Sequence, residues 1–435
     1  MLNNFFRPLF FPMVLLLPGC LNALGQRALT LEDCVKIALQ QSLTIRSADN
    51  AFHSAQLAHQ EVERTALPQL RVEGKALNAP NSEHFGYDPA VTDGGQFSAQ
   101  LGVQELLYDG GARGLRANQL EVDIDRLHIE QRRAERDLKH TVTVAFLDFL
   151  QAQNEVVLER RRVEGLSDYL GIVNRLFRGG GVGYTDVLKT EVSFENAQLT
   201  LRKVIQSSTT AKFTLAEAMG SPHDTAFTVT GALEVPDSSS IDSLLSRTLV
   251  DSLHTLDLQV SQSMVQRTLF DVDIARTDRL PSISLTGDVG VLSSGDNLRL
   301  PAAQRTRAVG YSVGISVENL LFNWGVTDLR IQQRELDAEN VQLTYEQQQR
   351  ALIGEVRRLR TQIAGEIDQL RSIKRTLAVA EDNYTLTKAQ YAGGGATALE
   401  VLSAEQLLAD SRLVEIQTRA DLRRLLAKAD QLITQ

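Results

Sequence analysis

The feature that most constrains the fold is a sequence unit that occurs twice along the chain of 435 residues. The glycine cluster moves from 179 to 393, a step of 214 residues, and two other motifs move by 214 and 213. Three matches in one order at nearly one spacing predict a tandem duplication. The pairs are Leu67-Pro68 with Leu280-Pro281, Leu106-Leu107-Tyr108-Asp109 with Leu320-Leu321-Phe322-Asn323, and Gly179-Gly180-Gly181 with Gly393-Gly394-Gly395.

Each copy predicts a helix, two strands, a very long helix, a glycine turn and a second helix. We expect the first copy to occupy residues 26–221 and the second to occupy 241–435. A linker is predicted over 222–240, because Pro222, Pro236 and a run of serines interrupt regular structure there.

The long helices dominate the predicted shape. From Gly111 to Phe177 there is no proline, and apolar residues step by three and four, as in a coiled-coil seam. About 67 helical residues at ~1.5 Å each would span ~100 Å, which favours a rod or a tube. The second copy repeats the pattern from Gly325 to Tyr391, and shorter partner helices are predicted at 185–219 and 397–433. The seam residues are Val163, Leu166, Leu170, Val173 and Phe177.

Four segments alternate between apolar and polar residues, at about 69–77, 96–108, 282–290 and 310–322. Their length and their single apolar face are typical of transmembrane β-strands whose polar face lines water, although a soluble sheet packed on helices has the same pattern. No apolar run after the N-terminal segment approaches the ~20 residues of a membrane helix, so membrane insertion of the mature chain would use these strands.

Four strands do not close a barrel, so several chains are expected to contribute. Two copies would give a filled barrel of eight strands, whereas three would give twelve strands and a wider lumen, which transport favours. The turn segments 78–95 and 292–307 would then form loops at the outer mouth.

The N-terminus predicts a secretory signal peptide over residues 1–25. Arg7 precedes an apolar stretch, and small residues precede a cleavage site after Gly25. The alternative is cleavage before Cys20 with lipidation of that cysteine. If Cys20 is removed, Cys34 is the only cysteine left and no intrachain disulfide forms.

The composition argues against several functions. A net charge of -9 disfavours nucleic-acid binding. No phosphate-binding loop or paired-cysteine zinc site is present, the seven histidines lack ligand spacing, and four methionines are too few for a thioether relay. We therefore expect no catalytic residues, no cofactor and no bound metal, and we do not expect an enzyme.

These features resemble the TolC-like outer-membrane efflux proteins over almost the whole chain. The resemblance is strongest at the duplicated tips, Phe177–Glu191 and Tyr391–Glu405. It implies a mainly α fold with a transmembrane β-barrel contribution: a homotrimer with a 12-stranded β-barrel, four strands per chain, and a periplasmic α-helical coiled-coil barrel. An iris at the periplasmic tip would open when an adaptor docks.

The implied function is the outer-membrane exit duct of a tripartite efflux or type I secretion system in a Gram-negative bacterium. The implied partners are a periplasmic membrane-fusion adaptor, an inner-membrane pump of the RND, ABC or MFS class, and outer-membrane lipid. The alternative is a soluble periplasmic coiled-coil adaptor or scaffold, which would explain the helices but not four half-apolar strands.

The resemblance assigns adaptor docking to the six tip glycines, although they also fit a purely structural role as turn residues. The residue that follows each tip glycine is usually aliphatic or threonine in the family, but it is glycine here, at Gly181 and Gly395. The choice of adaptor therefore stays open. The six are Gly179, Gly180, Gly181, Gly393, Gly394 and Gly395.

The resemblance also assigns a gate. Glu400 matches the acidic residue of the narrowest ring, but its spacing from Thr397 equally predicts a capping box at a helix N-terminus. Asp186 and Tyr391 match residues that hold the resting iris shut. Ser403 lies where the family often has a second acidic residue, so a single acidic ring is expected. Ala396 lies where the family has a basic residue that helps to hold the resting iris shut, so a weaker closure is expected.

Overall fold

The structure of the chain, a computed structural model, describes residues 27–78, 95–237, 241, 243, 246, 255–295 and 306–433. The predicted signal peptide over 1–25, including Cys20, lies outside the described residues. Most of the two predicted outer loops, 78–95 and 292–307, also lies outside them.

Both copies contain the predicted order of helix, two strands, long helix, turn and helix. A short strand precedes the first helix, another follows the first copy, and the first helix of the first copy is divided at Ser42. In chain order the elements are β1 (Arg27–Leu29), α1 (Leu31–Gln41), α2 (Leu43–Arg64), β2 (Gln69–Asn78), β3 (Gly95–Asp109), α3 (Ala112–Arg178), α4 (Tyr184–Ala218), β4 (Phe227–Val229), α5 (Leu256–Thr277), β5 (Ser282–Gly295), β6 (Thr306–Glu318), α6 (Val326–Ala392) and α7 (Ala398–Ile433).

The two long helices confirm the strongest expectation from the sequence. Helices α3 and α6 each contain 67 residues, which at ~1.5 Å per residue gives a length of ~100 Å. Among the described residues, no helix is both long and apolar enough to cross a membrane.

Strands β2, β3, β5 and β6 form one antiparallel sheet in that order. The register places apolar residues opposite one another across all four strands, in the row Val72, Leu101, Val289 and Tyr311. The adjacent row contains Arg71, Gly102, Asp288 and Ser312. The sheet therefore has one apolar and one polar face, as the alternation predicted. The apolar face is uncovered in the single chain, where Tyr311 is 85% exposed.

The bounds of β6 correct the sequence prediction. The strand was expected at 310–322 but lies at 306–318, four residues earlier at each end. Glu318 pairs with Ser282, the first residue of β5, so the following residues have no partner strand to continue the ladder. In the first copy, by contrast, β3 extends to Asp109 opposite the same Ser282, through an irregularity between Leu106 and Tyr108.

The helices pack around α3. Towards the sheet, α3 contacts α2 on one side and α5 on the other, and α5 also contacts α6. Towards the glycine tips, α3 pairs with α4 and α7, while α6 pairs with α7. Near the sheet the helices thus form a layer that continues the order of the strands, with α2 and α6 at its two ends.

A buried cluster joins the middle of α3 to the short elements around it. The described part of the predicted linker, 222–237, contributes β4, which pairs in parallel with β1. Phe227 of β4 is buried and its ring lies 6.1 Å from that of Phe149 on α3. Cys34 of α1 and Leu215 of α4 complete this cluster. The segment therefore contributes to the core as well as connecting the two copies.

Truncation of Leu215 tests this core. Its side chain is fully buried, so Leu215→Ala should lower the free energy of unfolding by about 2–5 kcal/mol through lost contacts and a residual cavity. The matched control is Leu43→Ala, because Leu43 is 78% exposed and its truncation should change stability little. Denaturant melts of the purified protein in detergent measure both; equal losses would contradict the described core.

Candidate functional site at the glycine tips

The predicted tip glycines lie where the two long helices end. After α3, the Gly181 N–H donates to the Leu176 carbonyl at 2.9 Å; after α6, the Gly395 N–H donates to the Gln390 carbonyl at 2.8 Å. Gly180 likewise bonds back to the Phe177 carbonyl. These bonds define the same Schellman turn in both copies, with one residue of each turn in the left-handed region.

Only one glycine in each turn is required by the backbone. Gly180 has φ of 74° and Gly394 has φ of 78°, a region that residues with a β-carbon rarely adopt. A β-carbon at either position would have no other atom within 4 Å, so the turn is open to an approaching partner. At Gly181 and Gly395 a β-carbon would make ordinary contacts with the helix, the nearest at 3.5 and 3.7 Å. The turn itself does not require glycine there.

The coiled-coil seam that the sequence predicted is confirmed over most of its length. Leu166 and Val173 are buried at the contact between α3 and its partners. Phe177 is different, because it is 40% exposed and its ring lies 5.6 Å from that of Tyr184 at the start of α4. The seam therefore ends before the tip, and an exposed aromatic pair lies beside the first glycine turn.

Asp186 and Tyr391 line the same cleft between the two tips, which Ala396 also lines. Tyr391 is 5% exposed and packs edge to face against Tyr169, with ring centroids 5.4 Å apart. Neither tyrosine hydroxyl has a hydrogen-bond partner in the single chain. Burial raises the pKa of Tyr391; the adjacent Tyr169 hydroxyl lowers it and the Asp186 carboxylate raises it, and the net shift is upward, so the phenol keeps its proton. It is thus available as a hydrogen-bond donor. The structure brings the two predicted lock residues together, and it adds Tyr169, which the sequence analysis missed.

Glu400 forms the capping box that was one of its two predicted roles. The Thr397 N–H and hydroxyl donate to Glu400 Oε2 at 2.7 and 3.0 Å, and the Glu400 N–H donates to Thr397 Oγ1 at 3.3 Å. These bonds hold the pKa of Glu400 below its usual range. The stabilising contribution of the ionised cap is therefore present above the ordinary carboxyl pKa and is lost as the pH falls through the lowered value. The predicted ring of three Glu400 carboxylates needs other copies of the chain and stays a prediction.

The duplicated acidic residues differ in their surroundings. Asp186 occupies the position in α4 that Glu400 occupies in α7, but Gly183 precedes α4 where Thr397 precedes α7. Gly183 has no side chain with which Asp186 could form a capping box. Asp186 therefore lacks the reciprocal capping-box bonds that hold Glu400.

A cluster of charged residues, which was not predicted, lies on α3 and α7 between the glycine tips and the middle of α3. Arg162 of α3 contacts Glu405 of α7 through two hydrogen bonds, and Glu159 of α3 lies beside both. Glu405 is part of the repeated tip motif, but its partners come from another helix, so no local pattern in the sequence indicates the cluster.

The described residues contain no group of three or more His, Cys, Asp or Glu side chains arranged to hold a metal ion. Cys34 is fully buried, and burial raises the pKa of its thiol to about 11, so it remains a protonated thiol in the core.

Comparison with known proteins defines the class of the chain. The sequence profile of the outer membrane efflux protein family matches residues 34–221 and 252–433. The chain therefore belongs to this family, and the TolC-like resemblance is confirmed. The outer membrane protein VceC of Vibrio cholerae has a similar structure, with a TM-score of 0.76 and 17% identity over 92% of this chain and 95% of VceC.

Other relatives extend the comparison. The CmeC outer membrane channel of Campylobacter jejuni gives a TM-score of 0.77 at 15% identity, over 93% of this chain and 85% of CmeC. The alkaline protease secretion protein AprF of Pseudomonas aeruginosa is 23% identical over 278 residues, or 61% of this chain. The match spans 55% of AprF, about half the length of that relative. Family membership contradicts the alternative of a soluble periplasmic adaptor or scaffold.

Two alanine substitutions in one turn test the tip geometry. Gly180→Ala should destabilise the turn after α3 by about 1–2 kcal/mol, because alanine is strained at positive φ. Gly181→Ala is the matched control and should have a much smaller effect, since its φ is ordinary and its contacts are not close. Hydrogen–deuterium exchange of the turn measures both. Equal protection in the two variants would contradict the Schellman geometry.

Proposed function

We propose that the chain works as a homotrimeric exit duct in the outer membrane, through which an efflux or type I secretion system exports its substrates. A periplasmic adaptor binds the glycine tips, and an inner-membrane pump of the RND, ABC or MFS class drives transport. The main support for the proposal is that one chain leaves both outer strands of its sheet and both outer helices of its helical layer without a neighbour on one side. The helices follow the same order as the strands that lead into them.

The sheet supports association through its edges. Strands β2 and β6 are the outer strands, so each has one side without a neighbouring strand. The uncovered apolar face of the sheet suits contact with lipid, and the polar face of the sheet suits a water-filled lumen. In hydrocarbon, unpaired backbone groups at an edge are costly, and pairing β6 of one chain with β2 of the next removes both edges.

The helical layer supports the same arrangement near the sheet. Leu329, Leu336 and Leu343 recur every seven residues along α6, and each is more than half exposed. Their counterparts in the first copy, Leu115, Val122 and Ile129 of α3, are partly buried. The difference follows from the packing: among the described helices near the sheet, α3 has an extensive contact on each side, with α2 and with α5, whereas α6 has one, with α5. In the proposed trimer, α2 of the next chain covers the row on α6, and exposed Leu57 of α2 contributes to the contact.

The part of the helical layer near the glycine tips also has exposed apolar rows. Val192, Leu199 and Phe213 share seven-residue spacing on α4 and are about half exposed. Val379 and Leu386 of α6 form a similar exposed pair. At the tips α4 packs chiefly on α3, with a smaller contact to α7, and α6 packs on α7, so the exposed rows of α4 and α6 are ends that another chain can cover. A repeated head-to-tail contact between such ends closes a ring, and three chains supply twelve strands with an open lumen.

The tips are the proposed adaptor site and gate. Six glycines leave two open turns whose backbone a partner can approach closely. Beside them, Asp186, Tyr391 and Glu400 come from the ends of both hairpins, and a threefold axis would bring three copies of each together. Glu400 forms the proposed narrowest ring, while Asp186 and Tyr391 hold the resting tip closed. AprF is a protein of alkaline protease secretion, which supports secretion as well as efflux as the role of this chain.

The oligomeric state tests the architecture. In mild detergent the mature protein should be a trimer, because one chain leaves its sheet and its helical layer open. Leu336→Glu should dissociate it by placing a charge in an apolar contact, whereas the control Leu336→Met should not. Light scattering coupled to size exclusion measures the mass. A stable folded wild-type monomer would overturn the proposal.

The gate is tested by two variants that separate charge from capping. Glu400→Gln removes the charge but keeps the capping box, because glutamine also fits this position. In planar bilayers it should reduce cation selectivity, since three carboxylates no longer face the pore. Thr397→Ala is the matched control: it keeps the charge and should weaken the first turn of α7 by about 1 kcal/mol. Unchanged selectivity in Glu400→Gln would contradict the proposed ring of Glu400 carboxylates but not the proposed exit duct.

A further inference from the structure

A buried glutamate interrupts the apolar seam of α3. The residues Ala145, Ala152, Glu159, Leu166 and Val173 follow one another at seven-residue intervals, and all five are buried. Four of them are apolar, as expected for a coiled-coil core, but Glu159 is only 5% exposed. A carboxylate at such a position is costly unless it is paired or protonated.

The pairing of Glu159 is incomplete. Its Oε2 atom lies 3.8 Å from Arg162 Nη1, beyond hydrogen-bond distance, and has no hydrogen-bond partner. Arg162 is instead directed across to α7, where Nε and Nη2 donate to the two oxygens of Glu405 at 3.0 and 3.3 Å. The guanidinium also donates to Gln406. Glu405 is therefore the ionised partner of Arg162, and Glu159 is the carboxyl group left over.

The cluster has an excess of negative charge. One buried carboxyl group, that of Glu159, and one part-buried carboxyl group, that of Glu405, lie beside a single guanidinium. Glu155 of α3 and Asp410 of α7 add further negative charge nearby. Glu155 and Asp410 accept hydrogen bonds from neutral glutamines, Gln151 and Gln406, which do not neutralise them. Burial raises the pKa of both Glu159 and Glu405, and the neighbouring carboxylates raise it further, while Arg162 lowers it.

The position of the cluster gives it mechanical importance. Arg162 and Glu159 belong to the hairpin of α3 and α4, whereas Glu405 belongs to the hairpin of α6 and α7. Leu166 and Tyr169 follow on α3 and lead directly to Tyr391 at the cleft. Packed side chains therefore form a continuous path from this contact between the hairpins to the tip.

We propose that Glu159, Arg162 and Glu405 form a proton-operated joint between the two hairpins: a proton on Glu159 tightens the joint, and its loss loosens the joint. The proposal rests on the proposed duct for its consequence, which is that the resting tip closes more firmly as the surroundings become acidic.

The direction follows from proton linkage. A carboxyl group with a raised pKa in the packed state binds more protons there than when the hairpins separate. Packing is therefore favoured as the pH falls through the raised pKa and is weakened as the pH rises. For one proton, the equilibrium between packed and separated hairpins changes by up to about tenfold per pH unit within this range.

The joint is tested by hydrogen–deuterium exchange of α3 around Glu159 and of α7 around Glu405, measured on the intact trimer and corrected for intrinsic exchange. The pH is varied from about 5, just above the ordinary carboxyl pKa, to about 8. Wild-type protection should fall as the pH rises. Glu159→Gln imitates the protonated group and should keep high protection at every pH. Glu164→Gln, an exposed glutamate on the same helix, is the matched control and should retain the wild-type pH dependence.

A second variant separates the joint from simple packing. Arg162→Met leaves the buried Glu159 and the part-buried Glu405 without their cation, so protection should be lost at neutral pH and recovered in acid. Wild-type pH dependence in Glu159→Gln, or a loss in Arg162→Met that acid does not restore, would overturn the joint. Bilayer conductance of the wild-type protein tests the proposed duct separately. If conductance were absent while the exchange pattern was as expected, the duct would be contradicted and the joint would be supported.

Discussion

The packing of several helices around α3 is the interaction on which the rest of the chain depends. This helix of 67 residues contacts α2 and α5 towards the sheet, α1 and β4 at its middle, and α4 and α7 towards the tip. It therefore connects the strands to the glycine turns in one rigid element. The helix also contributes Tyr169, which packs on Tyr391 at the cleft, and Glu159 and Arg162 of the charged cluster.

The duplication explains the symmetry of the chain and also its incompleteness. Helix α6 has the same length as α3 and ends in the same glycine turn, yet it has fewer neighbours in its own chain. Its uncovered leucines and the open edge of β6 are two consequences of that missing neighbour. The two copies have also diverged at the tips, where Glu400 caps α7 through Thr397 while Gly183 leaves Asp186 without an equivalent partner.

Local features of the fold were predictable because local sequence determines them. The absence of proline and the apolar periodicity indicated both long helices, and the alternation indicated four strands with one apolar face. The end of β6 was not predictable in this way. Leu320, Leu321 and Phe322 continue an apolar pattern, but a strand ends where its partner ends, and the pairing of Ser282 with Glu318 sets that limit.

The duplicated architecture and the glycine turns could be predicted from the sequence alone, since each depends on neighbouring residues or on a repeated motif. The capping box of Glu400 was one of two roles that the sequence left open, and the structure shows its hydrogen bonds. Only the tertiary structure decided that Tyr169 packs on Tyr391, that β1 pairs with β4, and that Arg162 joins Glu405. These contacts link residues 200 or more positions apart, a separation that no local sequence period encodes. They depend on how two long helices align, and that alignment is fixed by burial along their whole length.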